Sequence, residues 1–435
     1  MNPVKVGICG LGTVGSGTLN VLKRNAVEIA ARTGCGIEVV AVGTRRERSD
    51  LDLTGIDVLS DVFALAERPD IQILVELIGG TTVARELILK AIANGKHVVT
   101  ANKALIAEHG NEIFAAAEAQ GVSVAFEAAV AGGIPIIRAI REGLAANRIE
   151  WLAGIINGTG NFILTEMREK GRDFDDVLRE AQALGYAEAD PSFDVEGTDA
   201  AHKLVILAAL AFGIPLQFDK VFTEGITRIT TDDVRYAEEL GYRIKHLGIA
   251  RRTEDGIELR VHPTLIPEAR LIANVNGVMN AVMVWGDAVG PTLYYGPGAG
   301  SEPTASAVVS DIIDVARTLY AEPRQRAPYL AFHPGQLSEL PVLSIDDVAS
   351  AYYLRISALD KPGVLSQVAQ IISEAGISIE ALIQKAPPED QDHVPVILLT
   401  SVTRERTLRA AVAAIEALDS IEGPLMCIRV ESLEG

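Results

Sequence analysis

Residues 4–15 read V-K-V-G-I-C-G-L-G-T-V-G, and this stretch decides the fold. Val4, Val6 and Ile8 make an apolar, β-branched run that reads as a buried strand. Gly10-Leu11-Gly12-Thr13-Val14-Gly15 follows at once, and Val14, Thr18, Leu19 and Leu22 then recur with helical spacing. Strand, G-x-G-x-x-G and helix in that order form the context a dinucleotide turn requires. The glycines permit a tight turn, let backbone approach a pyrophosphate and let the helix pack on the strand. The phosphates then rest on free N–H groups at the helix start. Gly10, Leu11, Gly12, Thr13, Val14 and Gly15 are therefore the expected phosphate-holding residues.

Working outward, 37–42 reads as the second strand, and Gly43-Thr44-Arg45-Arg46 closes it. An acid at this point would hold the ribose hydroxyls of NAD; Arg45 and Arg46 suit a 2′-phosphate, so NADP is preferred over NAD. The competing reading is a solvated basic loop, since Arg48 and Asp50 follow. Apolar stretches at 71–78, 96–100 and 122–127, with a helix over 84–94, extend a parallel sheet. Thr81, Thr100, Asn102 and Lys103 fall at carboxyl ends of strands, where such sheets bind ligands. The loop 128–135 (A-A-V-A-G-G-I-P) follows Glu127. Its carbonyls suit a hard monovalent cation, although an ordinary strand-to-helix turn suits the residues better.

The whole composition limits the possibilities. A chain of 435 residues, 48% hydrophobic, has room for two or three cored domains and is not globally disordered. A formal charge of −19 argues against nucleic acid. Cys9, Cys35 and Cys427 form no C-x-x-C pair, which fits a reducing compartment and excludes a disulfide scaffold. The seven histidines show no metal-ligand spacing, so no catalytic transition metal is expected. The longest apolar run, 204–212, is far short of a membrane span, and the N-terminus enters a strand without a secretion signal. A cytoplasmic protein is expected.

Past residue 150 the periodicity changes. A strand over 150–155 leads to a loop, 156–161, ahead of a helix; Gly158 and Thr159 there offer backbone and hydroxyl to a small polar substrate, or simply cap the helix. Then comes A-Q-A-L-G-Y-A-E-A-D-P-S-F-D-V-E-G-T-D-A-A-H-K, 181–203, which gathers Glu188, Asp190, Asp194, Glu196 and Asp199. Pro191 and Gly197 keep its first part irregular. A helix from Thr198 to 212 is apolar on every side beyond Lys203 and reads as buried. Asp199 and Lys203 stand one turn apart on it. A lysine in the first turn faces the positive end of the dipole; with partial burial this favours the neutral amine, Asp199 opposes both, and a lysine so poised suits proton transfer. The alternative is a surface ion pair. His202 beside Lys203 is a candidate acid/base, although a packing or capping histidine suits the position better. Short strands at 257–261, 271–273 and 281–285 give an α+β region whose mostly antiparallel sheet is available for subunit pairing. A second glycine-rich loop, Y-G-P-G-A-G-S-E-P-T at 295–304, opens a helix over 305–319. Residues 321–349 read as a linker, and β-α-β-β-α-β follows over 352–359, 364–375, 377–384, 394–402, 406–418 and 425–430.

The spacing A-x3-G-Y-x-E-x-D-P-x2-D-V-x-G-x-D-x3-K at 181–203, with V-V-T-A-N-K-A-L-I-A at 98–107, resembles the homoserine dehydrogenase family. That resemblance implies NAD(P)-dependent interconversion of L-homoserine and L-aspartate 4-semialdehyde. It implies Lys203 as proton donor and acceptor, held by Asp199, with Glu188, Asp194 and Asp199 around the substrate and Lys103 beside substrate or cofactor. It also implies that the loop with Gly300 and Glu302 returns to the first domain over the nicotinamide. A sodium site would use Glu127 and the carbonyls of Val130, Gly132 and Ile134. Asp360-Lys361-Pro362-Gly363 resembles the turn of ACT modules, ferredoxin-like domains that bind amino acids between paired copies, which suggests L-threonine as effector. Gly376-Ile377-Ser378 stands where many ligand-binding members carry an asparagine, so a module that only dimerises is the other reading.

The expected organisation is a Rossmann α/β domain over 1–135, a substrate, catalytic and dimerisation domain over 136–320 (with 295–320 returning to the first), a linker over 321–349 and an ACT domain over 350–435. A homodimer or homotetramer is expected, with no nucleic acid or membrane partner. Two rivals remain: a phosphorylating semialdehyde dehydrogenase, which needs a nucleophilic cysteine, and a non-catalytic amino acid sensor.

Overall fold

The computed structural model describes residues 3–46, 48–319, 326–385 and 392–434. It divides into two compact units: Met1–Leu152, His202–Asp219 and Asn280–Leu340 in the first, and Ala153–Ala201, Lys220–Met279 and Pro341–Gly435 in the second. No helix among the described residues is long and apolar enough to cross a membrane.

The first unit is built on a six-stranded sheet. Its strands run, in spatial order, Asp57–Leu59, Ile37–Gly43, Val4–Cys9, Ile73–Glu76, His97–Thr100 and Val124–Ala125. Every neighbouring pair is parallel. The order reverses beside the first strand, where Cys9 pairs with Glu76, and in such sheets the crevice beyond that point receives the ligand. Val6, Ile8, Ile73 and Val75 are fully buried, as a sheet covered on both faces demands. The helix Ser301–Thr318 contributes Ala305, Val308 and Ile312 to the same core.

Two of the expected strands are shorter than their apolar runs. The run 71–78 pairs only over Ile73–Glu76, because the Glu76 carboxylate accepts from Ile78 N and Gly79 N and turns the chain out of the ladder. The run 122–127 pairs only at Val124–Ala125. Glu127 instead enters a 3-10 turn, Glu127–Ala129, with its own N–H on the Asp311 carboxylate.

The second unit centres on a long hairpin, Tyr242–Arg252 against Ile257–Pro267. Beside it the strand Met426–Val430 pairs parallel, Thr264 with Arg429 and Leu265 with Val430. Antiparallel strands Ala349–Leu359, His393–Thr400 and Ile379–Gln384 continue the sheet. The C-terminal β-α-β-β-α-β module is therefore fused to the hairpin through its last strand. Alternation along Ala349–Leu359 divides its side chains between two cores. Tyr352, Leu354 and Ile356 pack with the module's own helices, whereas Tyr353 joins Ile244 and Leu265 of the hairpin.

Three local expectations fail. Residues 271–273 are not a strand but part of the 3-10 turn Leu271–Asn274, because the hairpin strand already runs to Pro267 and Arg270 N closes back on Pro267 O. The segment 156–161 is not a loop: the helix starts at Gly158, capped by Asn157, whose side chain accepts from Gly160 N. Lys203 is not in the first turn of its helix, which begins at Thr198, and a terminal dipole fades beyond that turn. Of the linker, 321–325 lies outside the described residues. The part from Arg326 to Leu340 is strapped down in the first unit, where the Tyr329 hydroxyl donates to Val122 O at 2.5 Å and its ring stacks on Phe114, and the part from Pro341 belongs to the second.

Candidate active site

In the first unit the three glycines of the turn do three different things. Gly10 has a φ of +100°, and a side-chain carbon there would lie 2.5 Å from Leu77 O. A carbon on Gly15 would lie 2.0 Å from Gly10 O, so only glycine lets the helix come this close. At Gly12 a side-chain carbon would meet no atom within 4 Å. This open position is where backbone can approach a pyrophosphate, and the helix Thr13–Arg24 begins beside it. The second glycine-rich loop buttresses the turn: Ser301 Oγ donates to Thr13 O at 2.7 Å, and the Arg24 guanidinium grips Glu302 through two bonds of 2.6 and 3.1 Å. Glu302 is thus an anchor for the helix opening at Gly300.

Arg45 and Arg46 are exposed at the carboxyl end of the second strand, while nearby Arg48 is taken by Asp50. Beyond the fourth and fifth strands, Thr100 Oγ1 donates to the buried Glu76 carboxylate at 2.6 Å, and Asn102 Nδ2 donates to Gly80 O at 2.7 Å. Burial pushes the Glu76 carboxyl upward. Asn102 also caps the helix Lys103–Gln120, which places Lys103 at its first position. Thr81 stands before the helix Thr82–Ala93 without a side-chain cap bond. Lys203 is 9% exposed, and neighbouring His202 stacks on Phe218 and meets Glu108 at 3.1 Å, a packing histidine.

The loop expected to hold a cation is already partly engaged within the protein. Ala131 (φ +53°) and Gly132 (φ +41°) are consecutive left-handed residues. The Glu127 oxygens already accept from Ile137 N and Arg138 N at 2.8 and 2.9 Å, and Ile134 O accepts from Ile136 N. A carboxylate oxygen keeps a lone pair after one such bond, so Glu127 with the Val130 and Gly132 carbonyls still fits a monovalent ion. Burial and the neighbouring Glu127 carboxylate push Asp311 up to about 7.

In the second unit the organising residue is Asn157, which the reading of the sequence passed over. Its Nδ2 donates to Asp194 Oδ1 at 2.7 Å and to Asp199 Oδ2 at 2.9 Å, drawing two carboxylates to one amide. Asp199 is buried and Asp194 half-buried. Two carboxylates so placed offer their remaining lone pairs to an ammonium. Thr159 Oγ1 donates to Tyr186 O at 2.7 Å, leaving the hydroxyl able only to accept from a ligand. A side-chain carbon on Gly158 would lie 2.8 Å from Val278 O, so its glycine serves packing. Glu188 is exposed, its carbonyl held by Gln182 Nε2. Lys245, buried in the hairpin, was also missed. Its ammonium donates to Val275 O at 2.6 Å and Asn161 Oδ1 at 3.2 Å, and burial followed by Arg168 and Arg243 lowers its pKa to about 7. The one available signal for Asn157 was an Asn directly before G-T-G, a helix-cap pattern.

Neither Cys9 nor Cys427 suits nucleophilic catalysis, and Cys35 lies before the amino end of the strand Ile37–Gly43, away from the carboxyl ends where such sheets bind ligands. Cys9 is fully buried, and burial and Glu76 push its thiol far up; burial takes Cys427 to about 12. The phosphorylating rival loses its nucleophile.

Comparison with known proteins agrees over the whole chain. Residues 10–127 match the family model "Homoserine dehydrogenase, NAD binding domain", 135–313 match "Homoserine dehydrogenase" and 352–420 match "ACT domain". Homoserine dehydrogenases of Pseudomonas aeruginosa and Neisseria gonorrhoeae are 67% and 58% identical, each covering 100% of both chains. The crystal structure of a homoserine dehydrogenase from Thiobacillus denitrificans is 63% identical and superposes with a TM-score of 0.95 over 99% of both chains. A hyperthermophilic archaeal homoserine dehydrogenase, solved in complex with NADPH, is 27% identical with a TM-score of 0.62 over 74% of this chain and 100% of its own. With its nicotinamide-binding domain, acidic segment and ACT module in that order, the chain belongs to the homoserine dehydrogenase family of oxidoreductases.

Proposed function

We propose that the chain interconverts L-homoserine and L-aspartate 4-semialdehyde by the following division of labour. The bound nicotinamide supplies the hydride acceptor or donor. In oxidation the neutral Lys203 amine takes the hydroxyl proton of homoserine as the carbon beside it gives up a hydride; in reduction the ammonium returns that proton to the aldehyde oxygen. Asp194 and Asp199 hold the substrate ammonium, Asp199 also orients Lys203 from one turn away, and Glu188 adds negative charge from the surface. Gly158 and Thr159 line the substrate end of their helix, and Lys103 steadies substrate from the cofactor side. The observation that carries this reading is the Asn157 amide shared between Asp194 and Asp199.

NADP is the preferred cofactor, supported by Arg45 and Arg46, by the absence of an acid at that strand end, and by the NADPH bound to the archaeal relative. Thr81, Thr100, Gly300 and Glu302 frame the cofactor beyond the phosphate turn. A sodium ion would be held by Glu127 and the carbonyls of Val130 and Gly132, with the remaining lone pair of Ile134 O, and would supply positive charge at the turn before the helix at Ile136. L-Threonine is the effector we assign to the ACT module, a homodimer or homotetramer the assembly and the cytoplasm the compartment. Initial rates with homoserine, comparing NADP with NAD, sodium with choline and threonine present or absent, test these assignments together. Turnover independent of phosphate supports the reading; no homoserine-dependent cofactor reduction overturns it.

A further inference from the structure

Two polar side chains, Lys245 and His246, are buried side by side in the hairpin strand Tyr242–Arg252. Lys245 is accounted for by its bonds to Val275 O and Asn161 Oδ1. His246 is placed differently. Its Nε2 lies 3.0 Å from Glu224 O, and a carbonyl oxygen only accepts, so Nε2 carries the proton and Nδ1 keeps its lone pair. That Nδ1 is buried with no hydrogen-bond partner among the described residues. Burial takes the ring down to about 4, so the imidazole is neutral near pH 7. An unsatisfied buried lone pair costs stability that an apolar side chain of similar size would not lose. A residue kept at such a cost points to a site where shape and one directed bond matter.

Three segments of the second unit meet on this ring. The first is the loop at Glu224, held through Nε2; two residues on, Ile226 N donates to Val195 O at 2.9 Å and ties that loop to the acidic segment. The second is Gly197, which joins the short helix Ser192–Val195 to the helix Thr198–Phe212. Its φ is +90°, and a side-chain carbon there would lie 3.3 Å from the imidazole Cε1 and 3.0 Å from Val261 Cγ1. The third is Gly160, where a carbon would lie 3.6 Å from His246 Nδ1 and 3.3 Å from Asn157 Oδ1. Gly160 N is the donor that Asn157 caps.

The ring thus stands between the helix start that carries Asn157 and the glycine that separates Asp194 from Asp199. Asn157 Nδ2 reaches those carboxylates at 2.7 and 2.9 Å, a geometry that needs the helix start and the glycine to keep their spacing. We infer that His246 is a positioning residue for homoserine binding: its imidazole, fixed on Glu224 O, sets the gap between Gly160 and Gly197 and so holds Asp194 and Asp199 on the Asn157 amide. The inference rests on the proposed role of that carboxylate pair in holding the substrate ammonium.

The test is initial-rate kinetics on the full chain with homoserine and NADP, with Tm and an NADP titration for every variant. His246→Ala should raise KM for homoserine about five- to tenfold, lower kcat by less than about threefold and leave the NADP dissociation constant within about twofold. His246→Gln, whose amide can donate to Glu224 O, should bring KM back to within about twofold of the wild type. His246→Leu fills the site and loses only the bond, which guards against an alanine variant that does not fold; its KM should rise about threefold. When His246→Ala is combined with Asn157→Ala, KM should stay within about twofold of Asn157→Ala alone, because both changes release the same pair. A merely structural histidine would lower kcat and Tm at an unchanged KM, and that result overturns the inference, as does a raised KM that glutamine fails to restore. Unchanged KM in His246→Ala and His246→Leu, beside a raised KM in Asn157→Ala, removes the positioning role alone. Unchanged KM in Asn157→Ala removes the substrate role of the pair as well.

Discussion

The glycine turn and the acidic segment, each assigned here to a charged ligand, are built from different materials. At 10–15 the site is backbone: Gly10 and Gly15 exist to let chain pass chain, and Gly12 opens the surface where a ligand fits. At 157–199 the site is side chain: a single amide gathers two carboxylates from 37 and 42 residues away. A backbone-built site is compact in sequence and tolerates almost no change of residue at its tight positions. A side-chain-built site is dispersed, and its geometry depends on a residue that itself does no chemistry.

The comparison can be broken most forcefully at the turn. Gly15→Ala forces a carbon against Gly10 O, and NADP binding should weaken by about a hundredfold or more, with Tm falling too. Gly12→Ala, which meets open space, should weaken NADP binding while leaving Tm nearly unchanged; equal loss of Tm in both would show that the glycines serve packing alone. In the acidic segment, Asn157→Ala leaves Asp194 and Asp199 without their shared donor. The expected rise in KM for homoserine is about 10- to 100-fold, with NADP affinity unchanged, measured by initial rates and by cofactor titration. Arg45→Ala with Arg46→Ala should raise KM for NADP about tenfold and leave NAD unaltered. The last effect is on stability. Burial lowers Lys245 to about 7, below its value in an unfolded chain, so the folded form binds fewer protons across the window from about pH 7 to 10. Stability should therefore rise with pH there, by up to about 1.4 kcal/mol per unit. Lys245→Met should lose that rise in denaturant titrations at pH 7, 8 and 9.

Legibility in the sequence follows the same division. The strand, glycine turn and helix at 4–24 were readable because glycine spacing and β-branched runs encode backbone directly. The C-terminal module was readable because its strands alternate, one set of side chains for each core. The hairpin strand Tyr242–Arg252 was not, since Lys245 and His246 are buried within it and break the expected alternation. Nothing local indicates that Met426–Val430 pairs with Ile257–Pro267, because the partner lies some 160 residues earlier. Asn157 was visible as a helix cap, but its second role needs Asp194 and Asp199 brought to it by the fold. The corrected position of Lys203, in the second helical turn, leaves the dipole little part in its chemistry and puts the weight on burial and on Asp199.

Lys203→Ala gives the most direct test of the central claim that this side chain moves the proton. Homoserine oxidation should fall by about 10²- to 10⁴-fold while the NADP dissociation constant, measured by fluorescence titration, stays within about twofold of the wild type. A variant that binds NADP normally and still turns over homoserine at more than about a tenth of the original rate would contradict the mechanism.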